Sequence, residues 1–403
     1  MRISTLTMFD SRLTAMNRQQ SDFLKVGQQM ATGRRVVSPS DDPQAASRAV
    51  GVSQSLAVTQ QYSDSRVSAR NAMSQEESVL NSVSKAVTSA KTLIIQASND
   101  TLSNADRTSV ASQLRGIYES LQGMANTTDG NGSYLFGGIK DNAPPFVEDG
   151  GKITYKGADT VRHQQVDASR QMAVGDSGQK VFSGVHSGAD YVADATTSAP
   201  STLRFSGPHT ADASNAEYGD SFTLEITSYN AGTGEFGYDL TNQTSGSTSS
   251  KTGNIGDPVK FGGISMTLEG TPAVGDRLDV SRGKDQSLFS TLENALNVLE
   301  SPAETPTGKA QLDNTLSTVS RQLDNSLDNV LTTRASVGAR LNELDELDNI
   351  SSNRSLNYKS TLSDLVDLDY SKAVSDYSLR QVGLQASQKA FVDVKNMSLF
   401  QML

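Results

Sequence analysis

LTMFDSRLTAMNRQQSDFLKVGQQM, residues 6–30, is the stretch whose reading decides the architecture. Leu6, Phe9, Leu13, Met16, Gln20, Phe23, Gly27 and Met30 fall at alternating steps of three and four, and six of these eight are apolar. That spacing is the seam of a coiled coil. No proline precedes Pro39, so one helix of about 30 residues, about 45 Å long at 1.5 Å per residue, fits this segment. The same spacing returns at the other end of the chain, through Val366, Tyr370, Ala373, Tyr377, Arg380, Leu384, Ser387, Phe391 and Val394, seven of nine apolar. A single polar helix with so narrow a stripe is not stable alone. Pairing the N-terminal helix with the C-terminal helix in one stalk is the economical solution.

Working outward, GRRVVSPSDDP at residues 33–43 breaks the first helix with a glycine and two prolines. Asp41 or Asp42 is placed to cap the next helix, with Pro43 in its first turn. That helix is expected from about 44 to 98, and another from 104 to 125. From 129 to 285 the chain turns rich in Gly, Thr, Ser and Asp, and FTLEI, FGYDL and ISMTL alternate as half-buried strands do. Residues 241–256, TNQTSGSTSSKTGNIG, read as a mobile surface loop. Helical spacing resumes at 286 and persists to the end. The expected fold is therefore α+β and multidomain: an elongated bundle of long N- and C-terminal helices, a coiled-coil stalk, carrying an inserted mainly-β domain. The corresponding boundaries are 1–42 and 356–403 for the terminal coiled coil, 43–140 and 286–355 for the helical bundle, and 141–285 for the β-rich insertion.

Composition excludes whole classes of chemistry. With no cysteine in 403 residues, disulfides, thiolate nucleophiles and Cys-ligated metals are ruled out. The net charge of -10 argues against nucleic acid as a partner, and the want of a long apolar run argues against membrane insertion. The charge is uneven. Residues 141–285 hold 11 Lys and Arg against 19 Asp and Glu, whereas residues 1–50 hold 7 basic against 4 acidic. An acidic outer domain on a nearly balanced stalk suits an outward, soluble face and a packed inner one. No apolar stretch of signal-peptide length occurs in the first 30 residues.

Candidate chemical sites fail on spacing. His163, His186 and His209 lie too far apart in sequence for a metal-ligand motif. The Asp129-Gly-Asn131-Gly-Ser133 run has Tyr134 and Lys140 where a calcium loop needs glycine and glutamate, so it reads as a turn. Gly137-Gly138 stands in no phosphate-binding context, and no Ser-His pair lies at motif spacing. No cofactor and no enzymatic activity are expected.

Several stretches in the right order resemble the bacterial flagellin superfamily. MATGRRVVSPSDDPQAASRAV at 30–50 looks like that family's loop between its first two helices, and the Pro-Ser-Asp-Asp-Pro version is closer to the hook–filament junction branch than to filament flagellin. YLFGG with PPF (134–138, 144–146) is similar to the exit from the helical domain. ISMTLEGTPAVGDRLDV into QSLFSTLENAL (264–296) resembles the return from the strand domain, and DLDYSKAVSDYSLRQVGLQASQKAF (367–391), ending in LFQML, the terminal helix. The resemblance covers roughly 1–150 and 260–403. It implies an extracellular structural adaptor between the hook-side junction protein and the flagellin filament, assembled as a homo-oligomeric ring. It also implies passage through the flagellar type III apparatus without a cleaved signal, and a cytosolic export chaperone. The assembly interface expected on this basis is Leu6, Phe9, Leu13, Met16 and Phe23 with Tyr370, Tyr377, Leu384, Phe391, Leu399 and Phe400. The loop Gly33, Arg34, Arg35, Pro39, Asp41, Asp42 and Pro43 is expected to set the angle between helical layers. Filament flagellin itself is the rival within the superfamily. A secreted adhesin or hydrolase with its activity in the β domain is the rival of another class.

Overall fold

The computed structural model describes residues 5–184, 189–282 and 287–400, with residues 5, 6, 8, 9 and 394–400 described by backbone alone. Among the described residues six α-helices flank a strand region: α1 (Thr5–Thr32), α2 (Pro43–Ala97), α3 (Asn104–Ala125), α4 (Leu288–Glu300), α5 (Pro306–Val366) and α6 (Tyr370–Phe400). Long helices at both ends and strands between them is the arrangement the spacing predicts. Two compact units result, residues 1–64 with 346–403, and residues 65–345. Among the described residues no helix is long and apolar enough to cross a membrane.

In the larger unit α2 and α5 lie side by side. Leu80, Val83, Val87 and Ile94 of α2 and Leu316, Val319, Leu323, Val330 and Val337 of α5 are buried. Outside this core, Arg70 pairs with Asp345 at 2.8 Å and Arg334 with Glu77 at 2.7 Å. α3 begins at a capping box in which Ser103 accepts from the Asp106 N–H and Asp106 accepts from the Ser103 N–H. Its buried Val110, Leu114 and Leu121 complete the bundle with α4.

The exit from the bundle is a knot of phenylalanines. Phe136 of YLFGG, Phe146 of PPF, Phe182 and Phe289 of α4 meet at ring centroids 5.1–5.9 Å apart. Those are edge-to-face and stacked distances. Gly138 makes the chain reversal possible: its φ is +64°, and a Cβ there would stand 2.1 Å from the Ala158 carbonyl oxygen.

Two small hairpins follow, β1 (Phe146–Asp149) with β2 (Lys152–Tyr155) and β3 (His163–Asp167) with β4 (Arg170–Ala173). Then comes a sandwich. Its five-stranded sheet runs β5-β12-β7-β8-β9, using β5 (Val192–Thr196), β7 (Phe222–Asn230), β8 (Glu235–Asn242), β9 (Thr248–Asn254) and β12 (Arg277–Ser281). Its three-stranded sheet runs β10-β11-β6, using β6 (Arg204–Thr210), β10 (Pro258–Phe261) and β11 (Ile264–Glu269). The inner faces interdigitate through Phe222, Leu224, Phe236, Leu278, Phe261 and Met266. The alternation in FTLEI, FGYDL and ISMTL is this core.

Residues 241–256 correct the sequence reading: they are not a loop. β9 pairs with β8 from Thr241↔Thr248 to Glu235↔Asn254. The Asn242 side chain accepts from the Thr244 and Ser245 N–H groups and so shapes the turn. The strand lies at the sheet edge with nearly every side chain exposed, so neither face carries the apolar alternation that marks a strand. Polar residues and Lys251 on such an edge discourage pairing with other chains.

A row of side chains on α5 fastens the strand region to the bundle. Asn314 donates to the Leu203 carbonyl at 2.8 Å and accepts from the Phe205 N–H at 3.2 Å. Thr318 donates to the Ala193 carbonyl, Asn325 both donates to and accepts from the Asp190 backbone, and Asn329 donates to the Lys180 and Val181 carbonyls. All four are buried. Each amide pairs backbone groups that would otherwise lack a hydrogen-bond partner beside the helix. Asn314→Leu keeps the branched shape and leaves one buried donor and one buried acceptor unpaired, an expected loss of about 2–4 kcal/mol. Urea unfolding followed by circular dichroism checks this; a midpoint unchanged from the parent would contradict the role given to Asn314.

Candidate assembly site

In the smaller unit α1 and α6 pack antiparallel, in a register where paired residue numbers sum to about 400. The Tyr370 hydroxyl donates to the Met30 carbonyl at 3.3 Å, and the Phe23 and Tyr377 rings lie 4.7 Å apart. Arg380 donates to Asp22 at 2.7 Å, and Gly383 faces Gln19. The seam thus places Phe23 with Tyr377, and Tyr370 with the end of α1. Leu13, Met16, Leu384 and Phe391 are half-buried along the same line. Leu6 and Phe9 lie on α1, and Leu399 and Phe400 on α6, but their side chains lie outside the described residues.

Among the described residues of these two helices only Ala373 is fully buried. Leu24 is 62% exposed, Leu379 69% and Val382 63%, and Val374 and Val392 stand half in solvent. α6 therefore carries apolar side chains on the face turned toward α1 and on faces turned away from it. One partner helix cannot satisfy such a surface. The seam was legible as a period in the sequence. The exposed residues were not, because they follow no single helical stripe.

Residues 33–43 meet the turn between α5 and α6. Gly33 has φ +69°, ending α1 in the left-handed conformation, and lies against the Tyr370 hydroxyl. Its carbonyl accepts from the Leu368 N–H and the Arg35 N–H donates to the Val366 carbonyl, so that Arg34 and Asp367 face each other as an isolated antiparallel β-bridge. The Arg35 guanidinium donates to the Leu365 carbonyl at 2.6 Å and pairs with Asp42 at 3.2 Å. Ser38, Pro39, Ser40 and Asp41 form a β-turn closed by the Asp41 N–H on the Ser38 carbonyl, with proline at the position that favours its fixed φ.

The two aspartates, left open between one cap and another in the sequence, divide the work. Asp42 is the N-cap of α2, accepting from the Ala45 N–H at 3.0 Å with Pro43 as first helical residue. Asp41 accepts from the Val37 and Ser38 N–H groups and pairs with Lys25 of α1 at 2.8 Å. The Ala45 N–H and the Arg35 guanidinium hold the Asp42 carboxyl below its ordinary range. The bond from Lys25, then that from Ser38, does the same for Asp41.

The other candidates from the sequence gather no chemistry. His163 and His209 are exposed, and His186 lies outside the described residues. Asp129 accepts from the Asn131 and Ser133 N–H groups, an Asx turn. Among the described residues no group of three His, Asp or Glu is arranged to hold a metal ion.

Residues 3–141 match the family model of the bacterial flagellin N-terminal helical region. Over its whole length the chain is similar to the flagellar hook-associated protein 3 of Escherichia coli K12, at 36% identity covering 99% of that protein. It is 34% identical to that of Salmonella typhimurium LT2, again covering 99% of it. The crystal structure of the flagellar junction protein FlgL from Legionella pneumophila, 26% identical, superposes with a TM-score of 0.66 over 79% of this chain and all of that one. A seam that joins the two ends of the chain, a Pro-Ser-Asp-Asp-Pro cap and end-to-end identity above 30% to two such proteins agree: the chain belongs to the flagellar hook-associated protein 3 family.

Proposed function

We propose that this chain is the structural adaptor between hook and filament of a bacterial flagellum, working outside the cell and without enzymatic activity. The observation that carries the reading is the state of α1 and α6, a pair whose apolar side chains outnumber what the pair itself can cover. Covering each large apolar side chain contributes roughly 1.5–3 kcal/mol, so copies of the chain side by side gain what the isolated pair forgoes. A homo-oligomeric ring built on these helices presents one edge to the hook-side junction protein and the other to flagellin. Contacts of this heterologous kind extend along an axis instead of closing on a pair. Marginal terminal helices and the lack of cysteine suit a chain that travels unfolded through the flagellar type III apparatus. A cytosolic chaperone that covers α6 before export is part of this proposal, and the exposed apolar side chains of α6 support it.

The loop from Gly33 to Pro43 is assigned to fixing the angle at which α1 enters α2. Both aspartates have folded values below the ordinary one, so their contribution is present above pH ~4 and is lost as the pH falls through the lowered values. Being exposed, it is screened by salt.

Leu384→Asp is expected to leave the thermal unfolding of the larger unit unchanged and to abolish incorporation at the hook tip. Electron microscopy of a complemented deletion strain reads this directly, and normal filaments on that variant refute the interface. The paired change Asp41→Ala with Asp42→Ala is expected to speed tryptic cleavage after Arg34 and Arg35 several-fold; parental cleavage rates deprive the loop of the role given to it. Purified chain mixed with short flagellin filament seeds should not elongate them, whereas bulk elongation marks a filament subunit.

A further inference from the structure

Glu76 of α2 is a carboxyl group in an unusual place. It is only 1% exposed. Its Oε1 accepts from the Asp176 N–H at 3.0 Å, while Oε2 has no hydrogen-bond partner. Oε2 is close to Gly175, and Glu76 lines a cavity of about 30 Å³. A single water needs roughly 10–15 Å³, so the cavity has room for one or two. Ala72, Asp129, Ser133, Arg162 and Val174 line both this cavity and a larger groove of about 540 Å³, which gives water and protons a way in.

The charges around Glu76 do not favour a second anion. Asp176, itself buried, pairs with Arg340 of α5 through one oxygen and with Lys180 through the other at 2.7 Å. Arg340 also donates to the Ala173 carbonyl at 3.0 Å. Its guanidinium is thus committed to the 173–176 segment, and Lys180 is largely in solvent, where water screens it. The remaining ionisable groups at the cavity are Asp129, Tyr134 and Arg162, and Arg162 is drawn off by Asp141 at 3.3 Å. An ionised Glu76 would add a buried charge with no hydrogen-bond partner of its own on Oε2, at a site whose two cations are both already engaged by Asp176.

We propose that Glu76 is a proton-operated latch on the 174–178 segment. With the proton on Oε2, the neutral carboxyl gives its hydrogen to water in the cavity and keeps the Asp176 N–H on Oε1. The segment is then held between α2 and α5. When the proton leaves for solvent through the groove, two carboxylates face each other with little water between them, and the segment lets go. Burial first, and the Asp176 charge second, push the Glu76 carboxyl up to about 8 from its ordinary 4.5. For an acid raised in the folded state, opening releases a proton between these two values. The closed state therefore loses stability as the pH rises from about 4.5 to about 8 and changes no further above that.

Hydrogen exchange on the full chain tests this, with amides 174–178 followed in the wild type and in Glu76→Gln side by side at each pH from 5 to 9. The glutamine carries no proton to lose, so the ratio of the two removes the intrinsic pH dependence of exchange. Wild-type protection relative to the variant is expected to fall up to about tenfold per pH unit toward pH 8 and then to level off. A ratio that stays constant from pH 5 to 9, or a variant less protected than wild type at every pH, overturns the latch. Asp176→Asn provides a second reading should the glutamine variant fail to fold. Removing the like charge is expected to move the levelling point down by about one pH unit, and an unmoved levelling point overturns the proposal equally.

Discussion

Two helices packed against each other can bury few side chains completely between them. Each residue of the seam is covered by one neighbour and open to solvent on both flanks, and this geometric limit governs the smaller unit. Phe23 and Tyr377 stack, Arg380 and Asp22 pair, and still only Ala373 among the described residues of α1 and α6 is buried. The larger unit differs because α2, α3, α4 and α5 enclose side chains from several directions, and Leu80, Leu114, Leu292 and Leu323 reach zero exposure. Local stability should follow that difference, since few buried contacts and many solvent-facing helical bonds mark segments that open readily.

The larger unit solves a different problem, how to lay irregular and strand segments along a long helix without stranding their backbone groups. A helix offers no free main-chain donors or acceptors along its side. Asn314, Thr318, Asn325 and Asn329 supply them from side chains. Asn126 does the same at the other edge of the strand region, donating to the Phe146 carbonyl and accepting from its N–H. Apolar residues in these places would pack as well and leave the strands unregistered. The amides set position along α5, and the phenylalanine knot supplies the adhesion.

Helices and sandwich strands were legible in the sequence wherever burial is one-sided. The seam through Phe23 and Tyr377, a start of α2 just after Asp41 or Asp42, and the alternation in FTLEI all follow from a period or a cap. What stayed hidden lacks a period. β9 is polar on both faces because it is an edge, so Thr248–Asn254 has the composition of a loop. The α5 amides occupy positions where the eye follows Leu312, Leu316 and Val319. Glu76 sits in a sequence, SQEES, that has the look of a solvated helix face, and only the packing of the 174–178 segment reveals it as buried. The candidate interface divides in the same way, into a seam that periodicity gives and exposed residues such as Leu379 and Val382 that only a structure can list.

Where residues 33–36 pass residues 365–368, the chain crosses twice at one height, once leaving α1 and once entering α6. The two crossings are laced by Arg35 N–H to Val366, Leu368 N–H to Gly33 and the Arg35 side chain to Leu365. Either crossing alone would be a swivel, free to rotate about its own single bonds. Laced together, they share one axis of bending but resist twist, because rotation about that axis would have to shear several hydrogen bonds at once. Such a joint behaves as a hinge pin under bending and as a keyed coupling under torque.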